Sequence, residues 1–343
     1  MIFARVPPGE ALGAVLAHSV VAGKRRIAKG SVLGPEEVAA LIGAGRDTIS
    51  IARLEPGDVG EEAAAARLAA AMVPDPAGAG LRVTAPHAGR VNLHATRPGL
   101  AEFEPSRIHA LNRVDPAMTV AVLAPLTRVT KGQMVATIKI IPYAVADETL
   151  RRAEALARAV LRVRPVERRS AGLVLTEAAG ETGGRNAALA EKARLAVAGR
   201  LAALGIDLAG TRAVAHERAA LAEALVSVPG EMVLILTAAA TADLHDTAPE
   251  AVHLAGGSVQ RFGMPVDPGN LLFFGELPGR PVIGLPGCAR SPALNGADWV
   301  LERIACGLVP SDDEIAMMGV GGLLKEIPTR PQPRDRVARR GPG

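Results

Sequence analysis

The chain has 343 residues and is poor in cysteine and in aromatic side chains. Cys288 and Cys306 are its only cysteines, and the disulfide framework of a small secreted protein needs more. We therefore expect two reduced thiols and a cytoplasmic protein. Aromatic residues make up 2% of the chain while 49% of it is hydrophobic, so the core must be built from Ala, Val, Leu and Ile.

Long uninterrupted apolar segments are also missing. No run approaches the ~18 apolar residues that a membrane-spanning helix needs. The N-terminal segment MIFARVPPGEALG has no apolar core of the length found in secretory signals. The sequence therefore predicts a soluble protein with no membrane partner.

The excess of positive charge lies at one end of the chain. The formal net charge is +4, and the last segment, RPQPRDRVARRGPG (330–343), accounts for all of it with five Arg and one Asp. The remainder is neutral and has one Trp and one Tyr, so it lacks the basic face and the stacking aromatic residues of a nucleic-acid-binding protein. We expect no nucleic-acid partner. A segment of Pro, Gly and Arg cannot form a core, so we expect this end to be disordered.

The pattern of residues changes along the chain and predicts several domains. We expect a small α/β region over residues 1–75, a β-rich module over 76–148, a linking helix over 149–167, a larger α/β domain over 168–310 and a tail over 311–343.

Local signals define the first two regions. Gly34-Pro35 followed by two Glu predicts a short helix, and DTISIARL (47–54) alternates as a strand does. RVTKGQMVATIKIIP predicts β-structure. Its residue pattern is also typical of the barrels that present a lipoyl or biotinyl lysine. Lys131 and Lys139, however, do not lie at a tight hairpin tip, so a structural module is favoured.

The third region alternates between strands and helices. Apolar segments over 171–178, 211–216 and 232–237 predict strands, and the segments over 186–204 and 217–228 predict the helices that connect them. Right-handed crossovers put helices on both faces of the sheet. We therefore predict a three-layer αβα domain with a mostly parallel sheet.

Ligands of such sheets bind at the carboxyl ends of the strands, where this chain places small and polar residues. After the first strand, Gly183 and Gly184 precede Asn186, which would cap the next helix. A glycine-rich turn at a helix start exposes N–H groups that suit an anion. The spacing matches no phosphate-binding motif, and a flexible turn explains it equally well.

The segment TAAATADLHDTAPE (237–250) follows the third strand. It offers the hydroxyls of Thr237 and Thr241, and the carboxylates of Asp246 and Glu250 at a spacing that could hold Mg²⁺ through water. A helix that begins here, with Asp246 or Thr247 as its N-cap, explains half of these residues without any ligand.

NLLFFGELPGRPVIGLPG predicts a β-hairpin around a Pro-Gly turn, and its second arm ends in GLPGCARSP (284–292). Gly284 and Gly287 would let a ligand approach the backbone, and Ser291 would cap a helix that Pro292 opens. This stretch predicts either a second anion-binding loop or a tight turn from strand to helix.

Together these motifs resemble a known family. Residues 168–310 resemble the molybdopterin-binding domain of the molybdopterin adenylyltransferases and the gephyrin-type molybdotransferases, which act in molybdenum cofactor biosynthesis. TAAATADLHDTAPEAV stands where the family has a Thr-Gly-Gly-Thr/Ser-Gly stretch followed by an Asp. GMPVDPGNLLFFGELPGRPVIGLPGCARSPAL matches a Pro-Gly-Lys-Pro segment and a Gly-Leu-Pro-Gly-Asn-Pro loop.

The resemblance implies a molybdopterin site in the third region. Asp246 matches an essential acidic residue, which implies a catalytic role, and Asp246 with Glu250 is the implied metal pair. The implied ligand-binding residues are Thr237, Thr241, Gly183, Gly184, Asn186, Pro268, Gly269, Gly284, Leu285, Pro286, Gly287 and Ser291.

Several positions depart from the family pattern, among them Ala242, Asp243, Ala289 and the TEAAGETGGRN stretch after the first strand. Ala238 and Ala239 replace a glycine pair, Asn270 replaces a Lys, and Cys288 replaces an Asn. The methyl groups of the alanines leave a ligand less room beside the backbone, and the loss of Lys removes a positive charge. Both changes argue against catalysis more than against ligand binding.

The resemblance implies functions of two classes. One is a transferase that uses molybdopterin, Mg²⁺ and ATP or CTP for nucleotidyl transfer, or that inserts the metal. The other is a non-catalytic carrier that holds molybdopterin for a separate nucleotidyltransferase or insertase. In both classes we expect two kinds of partner. These are other cofactor-maturation proteins, and further copies of this chain in a homo-oligomer. A third interpretation is that this domain has the fold of the family but no longer binds its ligand.

Overall fold

The computed structural model describes residues 1–177 and 184–324, without the side chains of residues 184–187. The chain divides into two compact units, Met1–Pro165 and Val166–Gly343. Within the described residues, every helix is too short or too polar to cross a lipid bilayer.

The first unit begins with a three-stranded antiparallel sheet around a core of its own, which includes Leu16, Leu41 and Ile51. Its elements are β1 (Ile2–Val6), β2 (Val15–Leu16), β3 (Val20–Ala22), β4 (Arg25–Ile27), α1 (Pro35–Gly43) and β5 (Ile49–Arg53). The predicted helix start is confirmed, since Glu37 Oε2 accepts the N–H of Gly34 at 3.1 Å.

The rest of the first unit is antiparallel β-structure with three helices. Its elements are β6 (Asp58–Gly60), α2 (Glu61–Met72), β7 (Leu81–Val83), β8 (Arg90–Ala95), β9 (Gly99–Phe103), α3 (Pro105–Asn112), β10 (Met118–Val122), β11 (Arg128–Val129), β12 (Met134–Ile140), β13 (Ala144–Ala146), α4 (Asp147–Ala157) and β14 (Leu161–Pro165). One sheet has the order β10-β12-β8-β7 and another β11-β9-β14.

The helix expected over residues 149–167 is shorter than predicted. It ends at Ala157, and β14 follows and pairs with β9. Leu161 and Val163 are both buried, so the segment alternates as a strand does. Ala153 and Ala157 are also buried and α4 packs on α2, so this helix is part of the core of the first unit.

The second unit contains the predicted alternation of strands and helices. Its elements are β15 (Ser170–Glu177), α5 (Gly184–Ala202), β16 (Asp207–Ala215), α6 (Arg218–Ser227), β17 (Met232–Leu236), α7 (Thr247–Leu254), β18 (Ser258–Phe262), β19 (Phe273–Leu277), β20 (Arg280–Leu285), α8 (Gly296–Ala305) and α9 (Asp312–Met317).

These strands form one sheet in the order β16-β15-β17-β20-β19-β18. The first four are parallel, and β19 is antiparallel to both β20 and β18. The mostly parallel sheet and the β19–β20 hairpin are therefore confirmed.

Helices cover both faces of this sheet. On one face, α6 and α7 share a core with Val174, Val233 and Val282. The alternate residues of the same strands, Leu173 and Leu234 among them, are buried on the other face, where α5 packs on β15 and α8 on β20. The three-layer αβα prediction is confirmed.

The chain continues past residue 310 with ordered structure. Ser311 caps α9 by accepting the N–H of Glu314 at 3.2 Å, and Asp267 accepts the N–H of Leu324 at 2.8 Å. Residues 325–343 lie outside the described residues, so the disorder expected at the end of the chain stays a prediction.

Candidate functional site

The ends of the four parallel strands meet at one edge of the sheet, and hydrogen bonds join them. The Thr176 hydroxyl on β15 lies 2.9 Å from Nδ1 of His216, which follows β16. The same hydroxyl accepts the N–H of Ala238, just after β17, at 2.9 Å. Arg290, after β20, donates to the carbonyl of Thr237. The topology thus brings together segments that are distant in the sequence.

The segment after β17 folds back on itself. Thr237 and Thr241 are 5% and 8% exposed, although both were expected to face a ligand. The Thr237 hydroxyl donates to the carbonyl of Ala239 at 2.6 Å. Its proton is therefore used inside the turn, and toward a ligand this hydroxyl can only accept.

Asp246 is the N-cap of α7, which is one of the two alternatives that the sequence left open. Its Oδ1 accepts the N–H of Thr247 at 2.7 Å and its Oδ2 that of Ala242 at 3.1 Å. Burial alone would raise the pKa of this carboxyl, but the two N–H donors and the nearby His216 and Arg218 outweigh it and hold the pKa below its usual value. Asp246 is therefore a carboxylate at neutral pH.

Glu250 and Asp246 do not form a metal site by themselves. Glu250 Oε1 lies 3.1 Å from His245 Nδ1, and both oxygens of Asp246 accept backbone N–H groups. Within residues 1–177 and 184–324, no group of three or more His, Cys, Asp or Glu side chains could hold a metal ion. The donor set does not fit Mg²⁺, which prefers six oxygen ligands in octahedral geometry.

The loop after β20 is glycine-rich for two different reasons. A Cβ on Gly284 would overlap the ring of Phe273 on β19, so the space beside this glycine is filled by the core. Leu285 and Pro286 are buried as well. Gly287 is exposed, and a Cβ there would meet only Arg290 Nη1, at 3.4 Å. Of the two glycines, Gly287 is the one open to a ligand.

Ser291-Pro292 does not open the helix that the sequence predicted. A short 3₁₀ turn, Gly287–Arg290, follows β20, and α8 begins only at Gly296. Asn295 is a stronger cap, because its Oδ1 accepts the N–H of Ala297 at 2.9 Å while Asp298 accepts the N–H of Asn295 at 2.9 Å. Ser291 is exposed and its hydroxyl accepts the N–H of Ala293 at 3.3 Å.

Arg200 on α5 holds this loop in place. Its guanidinium donates to the carbonyls of Ala289, Ser291 and Ala293 at 2.9, 2.7 and 3.0 Å. Its Nε also lies 2.6 Å from Asp298 Oδ1. The loop conformation thus depends on a helix almost 90 residues earlier in the sequence.

Pro268 and Gly269 lie against the start of α8. The Pro268 carbonyl accepts the N–H of Gly296 at 2.8 Å, and Gly269 has a φ of +142°. A Cβ at Gly269 would come within 2.7 Å of the Gly296 nitrogen. Both residues are buried, so their described role is to shape the loop that leads into α8.

Only the end of the glycine-rich turn after β15, from Gly184 onward, belongs to the described residues. Gly183 lies outside the described residues. Gly184 is the first residue of α5, so Asn186 lies in the first turn of the helix and not at its N-cap as expected. The side chains of both residues are outside the description.

The described residues of this unit line cavities away from this edge. One of about 120 Å³ is lined by Arg168 and Glu276 among others, and one of about 350 Å³ by Leu225 and Arg280 among others. Arg280 begins β20 and Arg168 precedes β15, so both cavities lie toward the amino ends of the strands. No residue implied by the resemblance lines either cavity.

The sequence placed the segments with Thr176, His216 and Arg218 at this edge without selecting these side chains for the site, and it missed Arg200 and Arg290 altogether. The polar triplet His-Glu-Arg directly after β16 was a usable signal, because strand ends gather at one edge. Nothing local marked Arg200, since its partners are distant in the chain.

The second unit is an α/β domain whose polar residues gather at the carboxyl ends of the parallel strands. Sheets of this kind bind their ligands at those ends. A family model described as a domain of unknown function (DUF8806) matches residues 5–53, which include most of the first small core. No curated protein matches the chain.

Two solved archaeal structures are similar to most of the chain. The molybdopterin biosynthesis moea protein from Pyrococcus horikosii has 15% identity and a TM-score of 0.31, over 89% of this chain and 76% of that one. A molybdenum cofactor biosynthesis protein from Pyrococcus furiosus has 12% identity and a TM-score of 0.25, over 90% of this chain and 65% of that one. At these TM-scores the likeness carries no conclusion about function.

Proposed function

We propose that the second unit binds molybdopterin, or its nucleotide form, at the carboxyl ends of the parallel strands as part of molybdenum cofactor biosynthesis. One observation carries the proposal: Arg290 donates to the carbonyl of Thr237. This contact joins the segment over 237–250 to the loop over 284–291, and the sequence resemblance rests on these two segments.

The geometry divides the proposed binding residues into two groups. Gly287 and Ser291 are exposed and are proposed to contact the ligand. The buried members are proposed to shape the loops around it; they are Thr237, Thr241, Pro268, Gly269, Gly284, Leu285 and Pro286. Gly184 and Asn186, in the first turn of α5, stay in the proposal, as does Gly183, which lies outside the described residues.

A carrier role is favoured over catalysis by the contacts of Asp246. Both of its oxygens accept backbone N–H groups, so the carboxylate stabilises the start of α7. Binding a pterin for transfer to another protein needs shape and hydrogen bonds and no reactive group. In this proposal the partners are a nucleotidyltransferase or insertase that receives the ligand.

The second candidate function is nucleotidyl transfer from ATP or CTP, or metal insertion. It is favoured by one observation, the ionised Asp246 carboxylate near the side chains of His216 and Arg218, which help to hold its pKa below the usual value. In that case Asp246 would position charged groups at the reacting phosphate. No metal-dependent step is assigned to this chain.

The binding proposal is tested by purifying the chain from a host that makes molybdopterin and measuring the fluorescent pterin released by oxidation. We expect close to one pterin per chain. Gly287→Val should lower this yield at least about tenfold, because branched carbons would fill the exposed loop. Gly199→Val is the matched control, since nothing lies near Gly199 on α5. Pterin at the level of an unrelated protein would contradict the proposal.

The two classes are separated by Asp246→Asn. A carrier retains pterin in this variant, and neither form turns over ATP or CTP. An enzyme shows nucleotide-dependent modification of the pterin in the native protein, and Asp246→Asn loses it while pterin is still bound.

A further inference from the structure

The cavity of about 120 Å³ lies at the opposite end of the sheet from the proposed pterin site. It opens on the face that α8 covers, between β18, β19, β20 and the end of α8, and its polar lining residues include Arg168, Gln260 and Glu276. Its volume is well above the ~15 Å³ that one water needs and below the ~300 Å³ of the smallest pockets that enclose drug-sized ligands. The cavity therefore has room for a small molecule and is too small to enclose a molybdopterin.

Arg168 lines this cavity as a half-buried cation without a partner in the described part of the chain. Its Nε is buried and makes no hydrogen bond, and its guanidinium forms no ion pair there. Arg97 and Arg303 also have a buried, unpartnered Nε, but another nitrogen of each donates to a backbone carbonyl. A half-buried cation that has neither a counter-charge nor a hydrogen bond is costly, and an anionic group in the cavity would offset that cost.

A β-bulge in the edge strand β18 brings Gln260 to the same cavity. The register of β18 with β19 shifts between Val259 and Arg261, so Gln260 is the extra residue of the bulge. Val259 and Phe262 both pack on the core under α6 and α7, although residues three positions apart lie on opposite faces of a regular strand. The bulge thus leaves Gln260 and Arg261 together on the α8 face. Arg261 pairs there with Asp312 at 3.0 Å, and Gln260 lines the cavity.

Glu276 on β19 gives the cavity a negative charge as well. Among residues 1–177 and 184–324, its carboxylate has no ion-pair partner, so Arg168 and Glu276 line one cavity without pairing with each other. A simple anion would be repelled by Glu276, and a simple cation by Arg168. A molecule that carries both charges close together suits the pair.

The rest of the lining is largely apolar. It includes Pro281 at the start of β20, Ile304 near the end of α8 and the exposed Val309. An aliphatic side chain would be removed from water against these three residues. The cavity thus combines one cation, one anion and one amide with an apolar wall.

We infer that this cavity binds a free α-amino acid with a small aliphatic side chain. Its carboxylate accepts from the guanidinium of Arg168 and the amide of Gln260, and its ammonium group donates to Glu276. A peptide does not fit this arrangement, because its ammonium and carboxylate groups are not on the same carbon. The site is separate from the one assigned under the proposed function and goes beyond it.

The test is isothermal titration calorimetry on the full-length chain with L-valine and two analogues that each lack one charge, L-valinamide and N-acetyl-L-valine. We expect a Kd for L-valine of about 1 mM or lower, and binding of each analogue at least about tenfold weaker. Arg168→Met should weaken L-valine to the level of L-valinamide, and Glu276→Gln to the level of N-acetyl-L-valine. Arg169→Met, at the exposed next position outside the cavity, is the matched control and should leave the Kd unchanged.

The fluorescence of Trp299 in α8 keeps a folding defect apart from a binding defect. The urea midpoint of Arg168→Met should equal or exceed that of the native protein, because the guanidinium has no partner to lose. A lower midpoint together with lost binding would give Arg168 a structural role and overturn the inference.

Two further results would also overturn it. Acetate that binds as tightly as L-valine would show a general anion site, and the absence of binding at about 10 mM L-valine would show no amino-acid site. Neither result bears on the proposed function, since Arg168→Met should leave the amount of pterin that co-purifies with the chain unchanged.

Discussion

The Nε of Arg200 lies 2.6 Å from Oδ1 of Asp298, and this ion pair ties α5 to α8 across one layer of the second unit. The two side chains are 8% and 12% exposed. Asp298 at the same time accepts the N–H of Asn295 at the start of α8. One pair of residues therefore fixes the helix start and, through the other donors of Arg200, the loop that precedes it.

Arg200→Met should destabilise the second unit by about 3–5 kcal/mol, because it leaves the buried carboxylate of Asp298 without its counter-charge and removes the Arg200 donors from three carbonyls. Urea unfolding followed by the fluorescence of Trp299, the only Trp of the chain, measures the effect in this unit. Arg194→Met on the same helix should cost less than about 0.5 kcal/mol, since Arg194 pairs with Glu191 on the surface. Equal losses in the two variants would refute this account.

Gly284→Ala and Gly287→Ala should have unequal effects although three positions separate them. At Gly284 the new methyl group overlaps Phe273, and we expect a loss of about 1–3 kcal/mol from overpacking. At Gly287 the methyl group meets only Arg290 at 3.4 Å, and we expect a change within about 0.5 kcal/mol. Denaturant unfolding measures both.

A second substitution tests the cause of the Gly284 effect. Phe273→Leu makes room beside residue 284, so adding Gly284→Ala to it should cost less than adding it to the native chain. Strict additivity of the two changes would show that the contact with Phe273 is not the reason.

Asp246 should make the stability of the second unit depend on pH. The N–H donors and nearby cations hold its pKa in the folded protein below the unfolded value of about 3.9. The stabilisation that ionised Asp246 gives to the folded protein is complete above the unfolded pKa, and it is lost as the pH falls through the folded pKa. The stability difference between the native protein and Asp246→Asn should therefore shrink between pH 6 and pH 3.

The control for this titration is Asp313→Asn in the exposed first turn of α9. Asp246→Ala, which cannot cap α7, should cost about 1 kcal/mol at pH 7. A pH-independent difference between native protein and Asp246→Asn would contradict the assigned pKa direction.

The two cysteines should react with a thiol reagent at very different rates. Cys288 is exposed and Cys306 is fully buried. We expect one fast-reacting thiol per native chain, which Cys288→Ser removes, and a second only after unfolding. Bound pterin phosphate should slow the fast reaction, since Cys288 lies in the proposed binding loop. Two fast thiols in the folded chain would contradict the burial of Cys306.

Much of the second unit follows from local pattern. MVLIL (232–236) is continuously apolar and is buried on both faces as β17, and Pro-Gly at 278–279 joins the two arms of the hairpin. The end of α4 was harder to predict, because apolar residues at helical spacing continue into Leu161 and Val163. Without a glycine or proline, the sequence marks the end of a helix poorly.

The site was predicted less well than the fold. The capping role of Asp246 was one of the alternatives that the sequence left open, since a capping bond is local, and the structure shows that Asp246 is the N-cap of α7. Ser291 was expected to cap a helix for the same kind of reason, yet Asn295 does so with the help of Asp298. Two adjacent cap signals compete, and local rules do not choose between them.

By itself, the sequence determined the alternation of strands and helices from β15 to β17, the β19–β20 hairpin and that polar residues follow the strands, because these depend on neighbours a few positions apart. Only the tertiary structure decided that Gly284 serves the packing of Phe273 while Gly287 is open, and that Arg200 is neutralised by Asp298 while it holds the loop after β20. Such differences arise from contacts across tens of residues, where burial and the position of a counter-charge set the energy of each side chain.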